Sequence, residues 1–253
     1  MSLRNLLGRL FGGKQQEKSA SSAPSPGVPS GAEDYAARRE KLLAAYPHRE
    51  LPRSMKADEI VAEWERAHAQ AGVPVLLLAD EHLVDALESG EWQDAPLPDL
   101  NELFAPVIEE LVGDEESESM IGRMGEESGE AVLPLASLQN ADPAPLYLAQ
   151  IPVEKPWDIF KCLPIGGWNA CPDAPVFVAF CKEMNEKYGA EPLLIGGDCI
   201  EMKVARRPVS AGEAYSLALE FYAFDEDVLQ MYGTIWMLAD SLMKSDYWYF
   251  WWD

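Results

Sequence analysis

Apolar positions along the chain fall into two regimes: a polar arm with little to bury, then a long stretch in which helical and strand periods alternate. At the start, Leu3, Leu6, Leu7 and Leu10 lie at i, i+3, i+4 and i+7, with Arg4, Arg9 and Lys14 among them. This is a short basic amphipathic pattern of the kind that rests on a membrane surface or docks on a partner, although its length and Gly8 weaken it as an isolated helix. Positions 15–31 are rich in Ser, Ala, Pro and Gly and nearly lack apolar residues, which predicts a disordered tether.

Beyond the tether the pattern becomes that of a folded protein. Helices are predicted over 33–46, stopped by Pro47, and over 55–71, where Ile60, Trp64, Ala67 and Ala71 form one stripe between an N-cap at Ser54 and Gly72. The unbroken apolar run 73–79 predicts a strand covered on both faces. A helix follows over 80–88 with Leu83, Val84 and Leu87 inward, then another over 99–112 after Pro96 and Pro98. Positions 131–136 and 146–151 read as strands, 156–163 as a short helix and 166–172 as a loop. Asp173 caps a helix that ends at Gly189, and 193–195 with 199–204 form a hairpin about Gly196-Gly197-Asp198. In its second arm Ile200, Met202 and Val204 alternate with Glu201 and Lys203, the pattern of a half-buried strand. Ser210 and Glu213 make a capping box for a helix whose apolar face is Ala214, Leu217, Ala218 and Phe221. One more helix is predicted over 228–244.

The chain then runs Tyr247-Trp248-Tyr249-Phe250-Trp251-Trp252. Six exposed aromatics in a row would be an aggregation hazard, so this run is expected inside the core as a late strand. The resulting fold class is α+β: a mixed sheet packed with helices, closed by an aromatic C-terminal strand, with a disordered N-terminal tether. The expected divisions are a tail over 1–32, an α/β part over 33–135 and an α+β module over 136–253.

Charge narrows the function. The net charge is −23, and it is uneven: residues 57–253 hold 38 Asp/Glu against 10 Lys/Arg. Such a body repels nucleic-acid backbones and attracts basic proteins. Residues 109–130 concentrate carboxylates, but without the alternating pattern of a calcium loop. The histidines, His48, His68 and His82, all lie in the N-terminal half. No pair among Cys162, Cys171, Cys181 and Cys199 has C-x-x-C spacing, and neither a Walker loop nor a dinucleotide glycine motif is present. No metal and no cofactor are expected. No secretory pattern and no apolar run long enough to span a bilayer are seen, so a cytoplasmic protein with reduced thiols is expected.

Cys171 carries one chemical alternative, because a thiolate at a helix N-terminus is stabilised. An enzyme built on it requires an open cleft with a base beside the thiol, near Trp168. The candidate binding positions are Trp168, Asn169 and Cys171 in the 166–172 loop, Asp198 at the hairpin turn, Arg206 after it, and Trp251 and Asp253 at the end of the aromatic run. No catalytic residue is assigned. The cluster Asp225, Glu226 and Asp227 does not by its spacing form a shared site.

Several ordered landmarks carry a family resemblance: Gly167-Trp168-Asn169-Ala170-Cys171-Pro172, Lys187-Tyr188-Gly189-Ala190-Glu191, Ala205-Arg206-Arg207-Pro208, Ala218-Leu219-Glu220-Phe221-Tyr222-Ala223-Phe224 and Trp248-Tyr249-Phe250-Trp251-Trp252-Asp253. In these the C-terminal third resembles the bacterial domain of unknown function 4253. The chain departs from it at Asp225-Glu226, where the family pattern has Cys-Pro. The resemblance implies a fold unit and a bacterial origin, and no activity. The expected function is therefore that of an acidic cytosolic protein that binds a protein partner with a basic surface, in the manner of an immunity protein or antitoxin. The alternatives are an enzyme with a pocket near Trp168 and Cys171, and a membrane-surface adaptor acting through residues 1–14.

Overall fold

The computed structural model describes residues 31–92, 94, 96–126, 128–140 and 144–253. The amphipathic segment 1–14 and the tether up to residue 30 lie outside the described residues. Strands β1 (His48–Leu51), β2 (Val73–Leu78), β3 (Leu146–Ile151), β4 (Glu191–Ile195), β5 (Cys199–Lys203) and β6 (Tyr247–Trp251) form one sheet in the order β1-β3-β2-β4-β5-β6. β2 and β4 are parallel and the other neighbours antiparallel, so the sheet is mixed. β3 lies between β1 and β2, which joins both halves of the chain in one sheet.

The helices are α1 (Gly31–Leu43), α2 (Ala57–Ala67), α3 (Glu81–Ser89), α4 (Leu100–Gly113), α5 (Glu118–Ile121), α6 (Ser137–Asn140), α7 (Ile159–Cys162), α8 (Ala174–Tyr188), α9 (Ala211–Phe224), α10 (Val228–Tyr232) and α11 (Ile235–Lys244). With the sheet they make an α+β fold. One sheet face presents Val75, Leu77, Ala149, Met202, Trp248 and Phe250 to a core that includes Phe177 and Phe180 of α8 and Phe221 and Phe224 of α9. The other presents Leu76, Leu78, Leu148 and Leu194 to Ile60, Val61 and Trp64 of α2. With both faces covered, β2 is buried along its whole length, as its continuous apolar run requires.

The aromatic run is the closing strand. Trp248, Phe250 and Trp252 are fully buried on the α8–α9 side, while Tyr247, Tyr249 and Trp251 are half-buried on the other. The period-2 alternation of a strand thus sorts six consecutive rings onto two faces. Phe180 stacks on Phe224 at 3.9 Å between ring centres, and Phe177 meets Trp252 edge-on at 5.3 Å. β6 has a neighbour on one side only. Its outer edge is closed by side chains instead: Trp251 N donates to Asp225 Oδ2 at 3.2 Å and Tyr232 Oη donates to Tyr249 O at 3.2 Å. With two of its outward main-chain groups occupied, this edge is a poorer template for pairing with another chain.

Four local expectations change. The stretch 131–136 is not a strand, because Leu135 takes a left-handed conformation, φ 57°, and the chain turns into α6. The carboxylate of Glu201 gathers the N–H groups of that turn, accepting from Ala136 N at 3.2 Å, Ser137 N at 2.9 Å and the Ser137 hydroxyl. Glu201 is therefore buried, and β5 is covered on both faces rather than half-buried. The helix expected over 228–244 breaks at Gly233, φ 90°, after which Thr234 Oγ1 caps α11 by accepting Met237 N at 3.2 Å. The cap of α2 is Lys56 instead of Ser54. β1, which carries the polar sequence His-Arg-Glu-Leu, had no apolar signal to announce it.

Candidate functional site

β2 and β4 run side by side and parallel, and both end at the same margin of the sheet. The carboxyl ends of parallel strands are where open α/β sheets place ligands, because the chain leaves them in loops and helix N-termini. Here β2 passes directly into α3, whose N-cap Asp80 accepts Leu83 N through Oδ1 at 2.8 Å. β4 passes into the turn Gly196-Gly197-Asp198. The turn presses against the first residues of α3 so closely that a Cβ on Gly197 would lie 2.3 Å from the carbonyl carbon of His82 and 2.4 Å from Leu83 N. Only glycine permits that approach.

Between α3 and this turn lies a small cleft of about 260 Å3, lined by His82, Asp85, Ala86, Ser89, Trp168, Gly197 and Asp198. Trp168 comes from the 166–172 loop, where Gly166 and Gly167 have φ of 94° and 79°. Asn169 has φ 46°, a left-handed conformation that asparagine tolerates better than most residues. From there its side chain donates Nδ2–H to the main-chain oxygen of Asp253 at 3.0 Å.

Asp198 is the best-anchored group of the cleft. Its Oδ2 accepts the indole N–H of Trp251 at 3.1 Å, and its main-chain oxygen accepts Trp252 N at 3.0 Å. Burial pushes the Cys199 thiol pKa well up, and the negative charge of Asp198 beside it adds to the rise. The indole donor to Asp198 is neutral, and among the described residues no Lys or Arg lines the cleft. Asp85, on the far wall, is paired with Arg38 of α1, which also reaches Glu88 at 3.0 Å. Burial raises the pKa of Asp80, and the nearby negative charge of Asp198 raises it further.

Of the sequence-chosen positions, Trp168, Asn169, Asp198, Trp251 and Asp253 come together here. Cys171 belongs to the same loop but points away from the cleft into the core, with 2% of its surface exposed. Its thiol pKa is pushed well up by burial, with Asp225, Asp173 and Asp198 adding to the effect. The open cleft and neighbouring base that a Cys171 nucleophile requires are not there. Arg206 is at the opposite end of the β4–β5 hairpin. Its guanidinium donates to Glu186 O at 3.2 Å and Lys187 O at 2.9 Å, closing the C-terminus of α8.

Sequence reasoning missed the α3 wall, His82, Asp85 and Ser89, and the cap Asp80. One signal was available: a fully apolar strand followed at once by an Asp that starts a helix. It also missed the order among the C-terminal acids. Asp225 is fully buried and accepts Asp227 N at 3.0 Å as well as Trp251 N, and Asp227 in turn accepts Asp253 N at 3.1 Å. These carboxylates hold the end of β6 in place. Among the described residues no group of three or more His, Cys, Asp or Glu is arranged to hold a metal ion, and no helix is long and apolar enough to cross a membrane.

No curated protein and no solved structure matches this chain. Residues 147–253 match the family model described as Domain of unknown function (DUF4253), a span that runs from β3 through the Trp168 loop and the Asp198 turn to the aromatic strand. Over that span the chain is similar to the DUF4253 family.

Proposed function

We propose that this protein binds a protein partner with a basic surface, and that the cleft between α3 and the Asp198 turn receives one lysine or arginine side chain of that partner. The observation that carries the reading is the state of Asp198. It is a carboxylate fixed in place by the Trp251 indole, it faces a cleft also lined by Trp168, and among the described residues no Lys or Arg lines that cleft. A ring beside an anchored carboxylate suits a compact organic cation. The small volume suits a side chain better than a large ligand. The surface supports the same reading, because the strong excess of carboxylates over residues 57–253 speeds the approach of a basic partner. A cytoplasmic location is part of the proposal, supported by four cysteines that are all free of disulfides. The enzyme alternative built on Cys171 has no geometric support.

Affinity capture from native lysate at low salt, repeated at 1 M NaCl and with Asp198→Asn as bait, tests the proposal. The expected result is a partner retained at low salt, released at high salt and weakened at least tenfold by the substitution. Capture of no partner, or of one indifferent to both salt and Asp198, overturns it.

A further inference from the structure

We infer that the groove between α4 and α9 is the seat of this chain's own leucine-rich basic segment, residues 1–14, which docks there as an amphipathic helix. The groove measures about 380 Å3. Leu100, Phe104 and Ile108 of α4, spaced at i, i+4 and i+8, form its floor together with Leu219 of α9. Leu100 and Phe104 are buried, while Ile108 and Leu219 are half-buried. Apolar grooves of this kind take side chains from one face of a helix, at i, i+3, i+4 and i+7. Leu3, Leu6, Leu7 and Leu10 have that spacing.

Charge is the second observation. Glu109 of α4, Glu183 of α8 and Glu220 of α9 line the groove, and among the described residues no Lys or Arg does. Lys187 reaches two of these carboxylates from outside the lining, Glu183 at 2.5 Å and Glu220 at 3.3 Å, so that pair shares one ammonium group. Segment 1–14 has the opposite sign, with Arg4, Arg9 and Lys14 and no Asp or Glu. A leucine stripe flanked by basic side chains thus meets an apolar floor flanked by carboxylates.

Reach is the third. Leu43 of α1 joins the same core cluster as Leu100 and Phe104, which places α1 on the groove's side of the sheet. Residues 15–30 separate the segment from Gly31, where α1 begins. A chain of that length spans up to about 55 Å, against a radius of gyration of about 17 Å for a fold of this size. A tethered ligand meets its site at an effective concentration on the order of millimolar, so modest contacts suffice to seat it. The inference stands on this groove and is independent of the Asp198 cleft.

Hydrogen-exchange mass spectrometry and carboxyl footprinting of the full chain at low salt test it. The amides of residues 3–10 should exchange at least tenfold more slowly than in a free peptide of that sequence, and equally so on dilution of the protein. Leu6→Asp with Leu7→Asp, outside the folded part, should abolish that protection and speed labelling of Glu109 at least threefold, with Asp58 on the opposite side of the sheet unchanged. Ser216→Trp, at an exposed position of the groove wall, should release the segment at least threefold, with its melting curve recorded as a check on folding. Asp198→Asn should leave the protection as it is. The proposal is overturned by an unprotected segment, by protection that a folded Ser216→Trp variant retains in full, or by Glu109 labelling that the Leu6→Asp, Leu7→Asp variant does not change. Protection that is lost on dilution, or that arises only with anionic vesicles, overturns it as well, in favour of a second copy or a membrane surface.

Discussion

The four thiols of this chain differ in environment far more than in sequence context. Cys171, Cys181 and Cys199 are buried, and burial pushes each of their thiol pKa values up, so at neutral pH the nucleophilic thiolate is scarce and out of reach. Cys162 is half-buried, with a smaller rise. Under native conditions a thiol reagent such as Ellman's should therefore modify one cysteine slowly and the other three only in denaturant. Rapid native labelling of Cys171, mapped by peptide mass, would contradict its buried placement. Asp225 makes the same point for carboxylates. Burial raises its pKa well above the ordinary value of 3.8, and the N–H donors of Trp251, Asp227 and Val228 only oppose that rise. A raised folded-state pKa means that the folded chain holds this proton more tightly than the unfolded chain. The stabilisation is complete below about pH 4 and is lost as the pH climbs toward the folded value. Urea unfolding from pH 4 to pH 8 should show the advantage of the parent over Asp225→Asn shrinking with rising pH; parallel curves would refute the assignment. Asp225→Ala, which strips the Trp251 and Asp227 main-chain donors of their acceptor, should cost about 1–3 kcal/mol at pH 7.

Among the elements, β6 carries the largest consequences. Trp252 is buried against Phe177 and Phe224, at 5.3 and 5.6 Å between ring centres, so Trp252→Ala should cost about 3–5 kcal/mol in chemical denaturation. Iodide should quench the half-buried Trp168 and Trp251 while leaving Trp248 and Trp252 untouched. Uniform quenching of all the indoles would mean that the strand is not seated as described. This strand also shows what the sequence makes legible. Six adjacent rings have no stable home in water, so burial was readable, and the period of two assigns them to opposite faces. The limits of β3, the end of α8 at Gly189 and the start of α9 at Ser210 were readable for similar local reasons: apolar runs, a left-handed cap and a serine N-cap, although Glu213 reaches back to Val209 N and so does not complete the expected capping box. β1 and the turn at Leu135 were not, because tertiary partners decide them. β1 exists because β3 offers it an edge, and Leu135 turns because Glu201, sixty-six positions further along the chain, holds the next two N–H groups. The candidate site was half legible for the same reason. Trp168, Asn169, Asp198, Trp251 and Asp253 stand out as motif or turn residues, whereas His82 and Asp85 acquire a role only when α3 packs on the Gly197 turn.

For the whole molecule the governing quantity is the unequal charge. Most of the ion pairs involve side chains with substantial exposure, such as Arg66–Glu63, Arg123–Glu126 and Arg207–Asp246. Exposed pairs contribute about 0–1 kcal/mol each. They cannot balance the mutual repulsion of 38 carboxylates set against 10 basic side chains over residues 57–253. At an ionic strength of about 0.01 M the Debye length is roughly 30 Å, long enough for charges across the molecule to act on one another, and at about 1 M it falls to roughly 3 Å. Added NaCl should therefore relieve self-repulsion and raise the melting temperature, while the same salt weakens attraction to a basic partner. The opposite slopes separate two explanations of lost binding. If salt released the partner by loosening the fold, melting temperature and binding would fall together. If it acts by screening the interface, binding falls while melting temperature rises. A thermal melt and a capture experiment across one salt series, from about 0.01 to 1 M, measure both, and parallel declines would refute the electrostatic account of the interface.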